Sequence, residues 1–303
     1  MQGNAVKRGF SDAQFALFLV VPALALFCFV SLYPLASSIS LAFFERSLLN
    51  EESRFVGFDN IIRTLNGRFF PSLWNTIVFS VGSVLLSTII GFFAAVLLNR
   101  GIKGQAVLRG ILLFPWVTPT VVVAFIWLWI YNPNYGVLNG ILRVLGVTEE
   151  NINFLGSPGP AMTGLIVAKA WNTFPWMMTM FLASLQTVPK ELLEAATIDG
   201  AGSARRMWHV IVPHLRNVLA VVLLLGTIGN FQHFETIYVL TEGGPYGTTS
   251  TLAIDMYRRA FEAYDLGMAG ALGLLWMIVL SVLAVGYFWM TERSRRVETG
   301  AGK

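Results

Sequence analysis

Residues 194–213 read EAATIDGAGSARRMWHVIVP, and their reading decides what kind of chain this is. Two acids (Glu194, Asp199), two arginines (Arg205, Arg206), a histidine, two glycines and a closing proline fall between apolar runs long enough to cross a bilayer. A polar, helix-forming interval in that position is a surface segment joining two membrane spans. Composition agrees: 55% of the 303 residues are hydrophobic and 13% charged, where a soluble domain carries about a quarter charged residues. Mean hydropathy is +0.64, and the balance is that of an integral membrane protein.

Working outward, six stretches approach the roughly 20 apolar residues a span needs: 15–35, 73–98, 111–131, 161–185, 215–240 and 268–290. None shows the alternation of a barrel strand, and lipid obliges the backbone to satisfy itself, so all six are expected to be helices. The expected fold class is all-α, a polytopic membrane bundle of six transmembrane helices, forming one domain over 1–303 with a cytoplasmic loop at about 186–213. Lys7 and Arg8 precede the first run, but its apolar length exceeds that of a signal peptide, which predicts an anchor that is kept. Basic residues cluster at the amino end, in the link after the second span (Arg100, Lys103, Arg109), after the fourth (Lys190, Arg205, Arg206) and in the tail (Arg293, Arg295, Arg296, Lys303). That bias predicts cytoplasmic termini and a cytoplasmic 194–213 segment. In the second span Ser83, Ser87, Gly91 and Ala95 recur every four residues, a small-residue strip that predicts close packing on another helix; Gly267, Gly270 and Gly273 suggest the same for the sixth. Trp127, Trp129 and Tyr131 read as interface anchors.

Residues 189–213 resolve into two short helices. Pro189 suits a first turn, Glu191 and Glu194 lie near the positive end, and Gly200 stands where a helix stops in a left-handed conformation. Ser203 can cap a second helix that ends at Pro213. Two readings stand side by side: a knob built for docking, or an interfacial linker with Arg205 and Arg206 on lipid phosphates and Trp208 in the headgroup zone.

Sequence resemblance separates them. The pattern EAA, three residues, Gly, nine residues and VIVP at 210–213 resembles the EAA loop of ABC importer permeases, with Val210 and Val212 in place of the usual isoleucine and leucine. FVGFDN (55–60), WNT (74–76), YNPNYGVLN (131–139), LQTVPKELLEAATIDGA (185–201) and VLTEGGP (239–245) followed by TLAIDMYRRAF are similar to the carbohydrate branch of that family, the maltose and glycerol-phosphate permeases, a type I importer fold. The resemblance implies an inner-membrane permease subunit that translocates a sugar or sugar derivative by alternating access. It implies as partners a second permease subunit, two cytoplasmic ATPases that bind ATP and magnesium, and an extracytoplasmic binding protein. It further implies that Glu194, Ala195, Ala196 and Gly200, with Asp199 and Arg205 beside them, form a coupling contact with an ATPase.

The chain is not expected to be an enzyme. It has no G-x-x-x-x-G-K-[ST]; its one Gly-Lys pair is Gly302 and Lys303, with nothing after it to reach magnesium. One cysteine, Cys28, and histidines scattered at 209, 214 and 233 build neither a disulfide framework nor a metal or nucleophilic site, so no cofactor is expected in the chain. No basic nucleic-acid stripe occurs. Polar residues inside spans mark a pathway: Lys169, Asn172, Thr173 and Trp176 share one helix face, and Asn230 and His233 share another. Hydrogen-bonding groups beside an aromatic ring suit a sugar, while helix-helix glue is the plainer account of the same residues. Lys169 stands out, either as a charge for an acidic sugar or as a partner of Glu235. An ion-coupled secondary carrier is the rival function, disfavoured because Glu235 is the lone carboxylate in the spans.

Overall fold

The computed structural model of the chain describes residues 12–50, 52–101 and 103–300; Lys7, Arg8, Gly302 and Lys303 lie outside the described residues. The chain divides into two compact units, residues 1–66 with 259–279, and residues 67–258 with 280–303.

In the first unit, α1 (Asp12–Phe27) passes through a π-turn at Cys28–Leu32 into α2 (Tyr33–Leu41). A second π-turn, Met207–Ile211, shares a feature with this one: each ends two residues before a proline, Pro34 and Pro213. Proline has no N–H to give and crowds the carbonyl four residues back. Widening to i→i+5 bonds, Tyr33 N–H to Cys28 O and Val212 N–H to Met207 O, lets each helix run on through the defect. A short antiparallel pair, β1 (Phe44–Arg46) and β2 (Ser53–Phe55), follows with Phe44 opposite Phe55, then α3 (Asp59–Asn66). Asn60, 2% exposed, donates from Nδ2 to the carbonyls of Ala42 (3.2 Å) and Phe44 (3.0 Å). It thereby ties helix to hairpin. Gly267 and Gly270 face this backbone so closely that a methyl group at Gly270 would stand 2.9 Å from Ala42 N.

In the second unit α4 (Phe69–Leu98) is followed by α5 (Gln105–Val117), α6 (Thr120–Ile130) and α7 (Val137–Val144), then α8 (Pro158–Leu185) and α9 (Lys190–Ile198). After these, α10 (Ser203–Arg206) runs through its π-turn into α11 (Val212–Phe231), with α12 (Glu235–Thr241) and α13 (Leu252–Tyr257) beyond. The last helix, α14 (Leu266–Gly300), belongs to both units. The small strip of α4 does pack: Ser83, Ser87, Gly91 and Ala95 are buried, and a methyl on Gly91 would lie 2.7 Å from Met177 Cβ and 2.8 Å from Met178 N of α8. Val84, Met177, Phe181, Leu182 and Val222 form one apolar core, and Phe79, Ala124, Leu165, Ile237 and Ile254 a second.

The expected third and fifth spans need correction. Four described helices are long and apolar enough to cross a membrane (Phe15–Leu41, Phe69–Leu98, Ser203–Phe231, Leu266–Tyr287), and a fifth span exists if a bent pair is counted as one. That pair is the expected third span, which folds as α5 and α6 at 96° to each other. The break falls at Thr118 and Pro119: the proline cannot donate to Pro115 O, and the residue before a proline is pushed to extended backbone, as Thr118 is with ψ 130°. The expected fifth span also ends early, at Phe231, before a break over 232–234. The expected fourth span, α8, is 28 residues long, but Lys169, Asn172 and Thr173 dilute its apolarity, and half of its residues are buried. A helix sheltered by other helices can carry polar groups that a lipid-facing one cannot.

Around the amino end of α4, the segment 242–251 is clamped by side chains. Asn75 Nδ2 donates to Gly247 O (3.2 Å) and Ser250 O (3.0 Å), Thr76 Oγ1 accepts Leu252 N–H (3.0 Å), and the hydroxyls of Ser72 and Ser250 both donate to the buried Asp255 carboxylate. Tyr131 is no interface anchor: it is 3% exposed and its hydroxyl donates to Gly164 O at 3.0 Å. Trp129 is 71% exposed.

Candidate functional site

The 194–213 segment forms an elbow. Pro189 is the residue before α9 rather than its first turn. At the other end Gly200 takes φ +76°, and Gly200 N–H bonds Thr197 O (3.0 Å) while Ala201 N–H bonds Ala196 O (2.9 Å). This is the paired closure of a helix by a left-handed residue, open to glycine without steric cost. The second limb differs from expectation. Gly202, not Ser203, is the capping position, and Pro213 does not end a short helix, because the π-turn carries α10 into α11 as one helix over Ser203–Phe231. The elbow is therefore continuous with a 29-residue helix long and apolar enough to cross a membrane. Arg206 Nη1 donates to Thr197 Oγ1 at 2.8 Å, a brace between the limbs that the spacing alone did not reveal.

Glu194, Ala195, Asp199, Gly200 and Arg205 are exposed and Ala196 is half-buried. Beside them Leu192 (50%), Ile198 (86%) and Trp208 (67%) also stand exposed. Ile198, at the apex of the turn, was not singled out from the sequence; an apolar residue two positions before a helix-ending glycine was the available signal. His209 meets Arg205 O at 3.0 Å and His214 meets Thr187 Oγ1 at 3.3 Å, so both histidines serve local structure.

Within the spans the structure brings Lys169 and His233 together, from α8 and the break between α11 and α12. Lys169 Nζ donates to His233 Nδ1 at 3.3 Å. His233 Nε2 then carries the proton and donates to Thr236 Oγ1 at 2.7 Å. The Glu235 carboxylate stands 3.5 Å from the same Nδ1, and Phe79 stacks on the imidazole at 6.0 Å. Lys169 thus has a carboxylate one imidazole away. Asn172 is committed elsewhere: its Nδ2 donates at 2.7 Å to Pro115 O, the carbonyl orphaned by Pro119. Thr173 and Trp176 are half-buried on the same helix, Trp176 against the first apolar core. Asn230 is 4% exposed with no partner for its Nδ2 among the described residues. Phe79, which stacks on His233, was invisible to the spacing because it comes from α4; Thr236, three residues on, was within reach of the spacing and was not singled out. No group of three metal-ligating side chains occurs among the described residues.

Comparison with known proteins places this architecture. Residues 87–296 match the family described as binding-protein-dependent transport system inner membrane component. The chain is 36% identical over 285 residues to the trehalose/maltose transport system permease protein of Thermococcus litoralis, covering 93% of this chain and 95% of that one. It is 32% identical over 286 residues to the sulfoquinovosyl glycerol transport system permease protein of Agrobacterium fabrum, covering 94% and 92%. Its fold is similar, with a TM-score of 0.80 at 21% identity and coverage of 92% and 95%, to a chain in the crystal structure of a bacterial ABC transporter involved in the import of the acidic polysaccharide alginate. The type I importer fold expected from the sequence is therefore borne out, and the chain belongs to the binding-protein-dependent transport system inner membrane component family of ABC permeases.

Proposed function

We propose that this chain is the membrane-spanning permease subunit of an ABC importer that takes up a sugar or sugar derivative handed over by an extracytoplasmic binding protein. It works with a second permease subunit, and two separate ATPase subunits supply ATP chemistry, with ATP and magnesium held by them and no cofactor in this chain. The observation that carries the reading is the elbow: a rigid, exposed, glycine-closed knob continuous with a 29-residue helix, in a chain of this family. Glu194, Ala195, Ala196, Asp199, Gly200 and Arg205 form its docking face, the small alanines allowing close approach. Closure of the ATPases moves the elbow and rocks the spans between inward- and outward-open states.

Cytoplasmic placement of the elbow and of both termini follows from the cations. Its support is that Arg100, from the cation-rich link after α4, lines the same cleft as Arg206 of the elbow, so the two basic segments lie on one side. Lys169, Thr173, Trp176, Asn230 and His233 are assigned to the solute pathway, with Asn172 beside them as the residue that holds the α5–α6 bend. Because Glu235 already balances the Lys169 charge, this strip recognises hydroxyls and ring faces rather than selecting anions. The test is uptake into proteoliposomes. Transport must require ATP inside, the ATPase subunits and the binding protein; uptake driven by a pH gradient through the purified permease pair alone refutes the reading in favour of an ion-coupled carrier.

A further inference from the structure

Behind the elbow, where α4 and α8 end, lies a cleft of about 210 Å³, open on one side. Its floor is apolar, including Leu185 and Met207, and its mouth carries Asn99, Arg100, Ser203 and Arg206. No carboxylate lines it, and no described carboxylate pairs with Arg100 or Arg206; Arg206 spends one Nη on Thr197 and keeps its other N–H groups. Two guanidiniums from different elements, converging without an acid, form a site for an anion, and Arg forks match phosphate oxygens best. The apolar floor adds a second demand: the ligand joins its anion to hydrocarbon. The cleft also lies at the ends of α4 and α8, where the apolar candidate span α4 gives way to polar chain.

We propose that this cleft holds the phosphate of an anionic phospholipid of the cytoplasmic leaflet, with its first acyl carbons on the Leu185 and Met207 floor. The orientation rests on the function proposed above. Because the cleft is walled on one side by α4 and on the other by the elbow, a lipid seated in it links the two, and anionic lipid content tunes how freely the elbow moves. The observations favour lipid over an acidic side chain of an ATPase subunit, since the docking face of the elbow is its exposed apex and the cleft opens behind it, at the spans.

The test uses the chain in complex with its partner subunits, in nanodiscs of phosphatidylcholine with or without phosphatidylglycerol, with retained lipid counted by native mass spectrometry in the absence of ATP and solute. Wild type should retain phosphatidylglycerol over phosphatidylcholine. Arg100→Gln with Arg206→Gln should lower that retention roughly 25-fold, and each single change roughly fivefold, while Arg143→Gln on α7 leaves it unchanged. The single variants keep the test open if the double variant assembles poorly. Unchanged phosphatidylglycerol retention in all three cleft variants overturns the proposal. So does displacement of the lipid by millimolar inorganic phosphate, which marks a free-phosphate site, and so does a crosslink from residue 206 to an ATPase carboxylate with lipid excluded. Lipid retention is read without transport, so uptake independent of the ATPases would refute the functional reading and leave this site standing.

Discussion

Replacing Gly91 with alanine should be among the more damaging single-carbon changes in the protein. The added methyl would stand 2.7 Å from Met177 Cβ, 2.8 Å from Met178 N and 2.9 Å from Phe174 O, and two of those three atoms are backbone of α8, which cannot rotate away. Relief requires α4 and α8 to move apart along a strip where Ser83, Ser87 and Ala95 are also fully buried, and overpacking of that kind costs about 1–3 kcal/mol. Against it stands the helix-propensity gain from glycine to alanine, about 1 kcal/mol, so the net loss is about 0–2 kcal/mol. Gly110→Ala supplies the control, since a methyl there meets nothing within 4 Å and only the propensity gain remains. Thermal unfolding of the purified chain in one detergent, followed by tryptophan fluorescence, should place Gly91→Ala below Gly110→Ala by roughly 2–6 °C and Gly110→Ala at or above wild type. Equal midpoints for the two variants would refute the claim that backbone contact at Gly91 closes the α4–α8 interface.

Asn172→Leu leaves Pro115 O buried without a donor, which costs about 1–3 kcal/mol; the same unfolding assay should show it, and a spin-label distance across the α5–α6 bend should broaden. Asp255→Ala strands the Ser72 and Ser250 hydroxyls, and limited proteolysis should then cut within 242–251 faster than in wild type. Gly200→Val forces a β-branched residue to φ +76°; ATP-driven uptake should fall at least tenfold while the permease still reaches the membrane, and normal uptake would mean the turn does not set the coupling geometry. Lys169→Ala should reduce uptake of neutral and acidic sugars alike, because Glu235 already balances the charge; selective loss of acidic substrates would reverse that assignment.

The parts of this chain legible in its sequence are those in which local chemistry leaves one solution. The left-handed turn at Gly200 and the packed strip of α4 are of this kind, because the first needs a residue without Cβ and the second needs a row of them or their nearest substitutes. The patches that carried the family resemblance proved to be clamps as much as contacts. Asn60 of FVGFDN holds the Ala42 and Phe44 carbonyls, Asn75 and Thr76 of WNT hold Gly247, Ser250 and Leu252 just beyond VLTEGGP, and Asn139 of YNPNYGVLN exchanges bonds with Ile152. Such side chains were quotable from the sequence, but their partners lie up to 176 positions away, and spacing rules reach only the next turn of helix.

Proline explains most of what the sequence misstated. Hydropathy reads 111–131 as one rod because Pro115 and Pro119 barely lower an average, yet a missing donor at position 119 breaks the helix and obliges Asn172, on another helix, to serve the abandoned carbonyl. That commitment takes the Asn172 amide nitrogen out of any face it would show to a sugar. At Pro213 the same missing donor had the opposite outcome, since a π-turn absorbed it and the helix continued. The difference lies in what the fold does next: at Pro119 the chain changes direction by 96°, whereas at Pro213 the helix continues from Ser203 to Phe231, as the proposed coupling of elbow to α11 needs. A mechanical link between elbow and span requires that the defect be absorbed there, and Pro213→Ala, which restores the donor and removes the need for the widened turn, should leave that link intact and uptake near wild type.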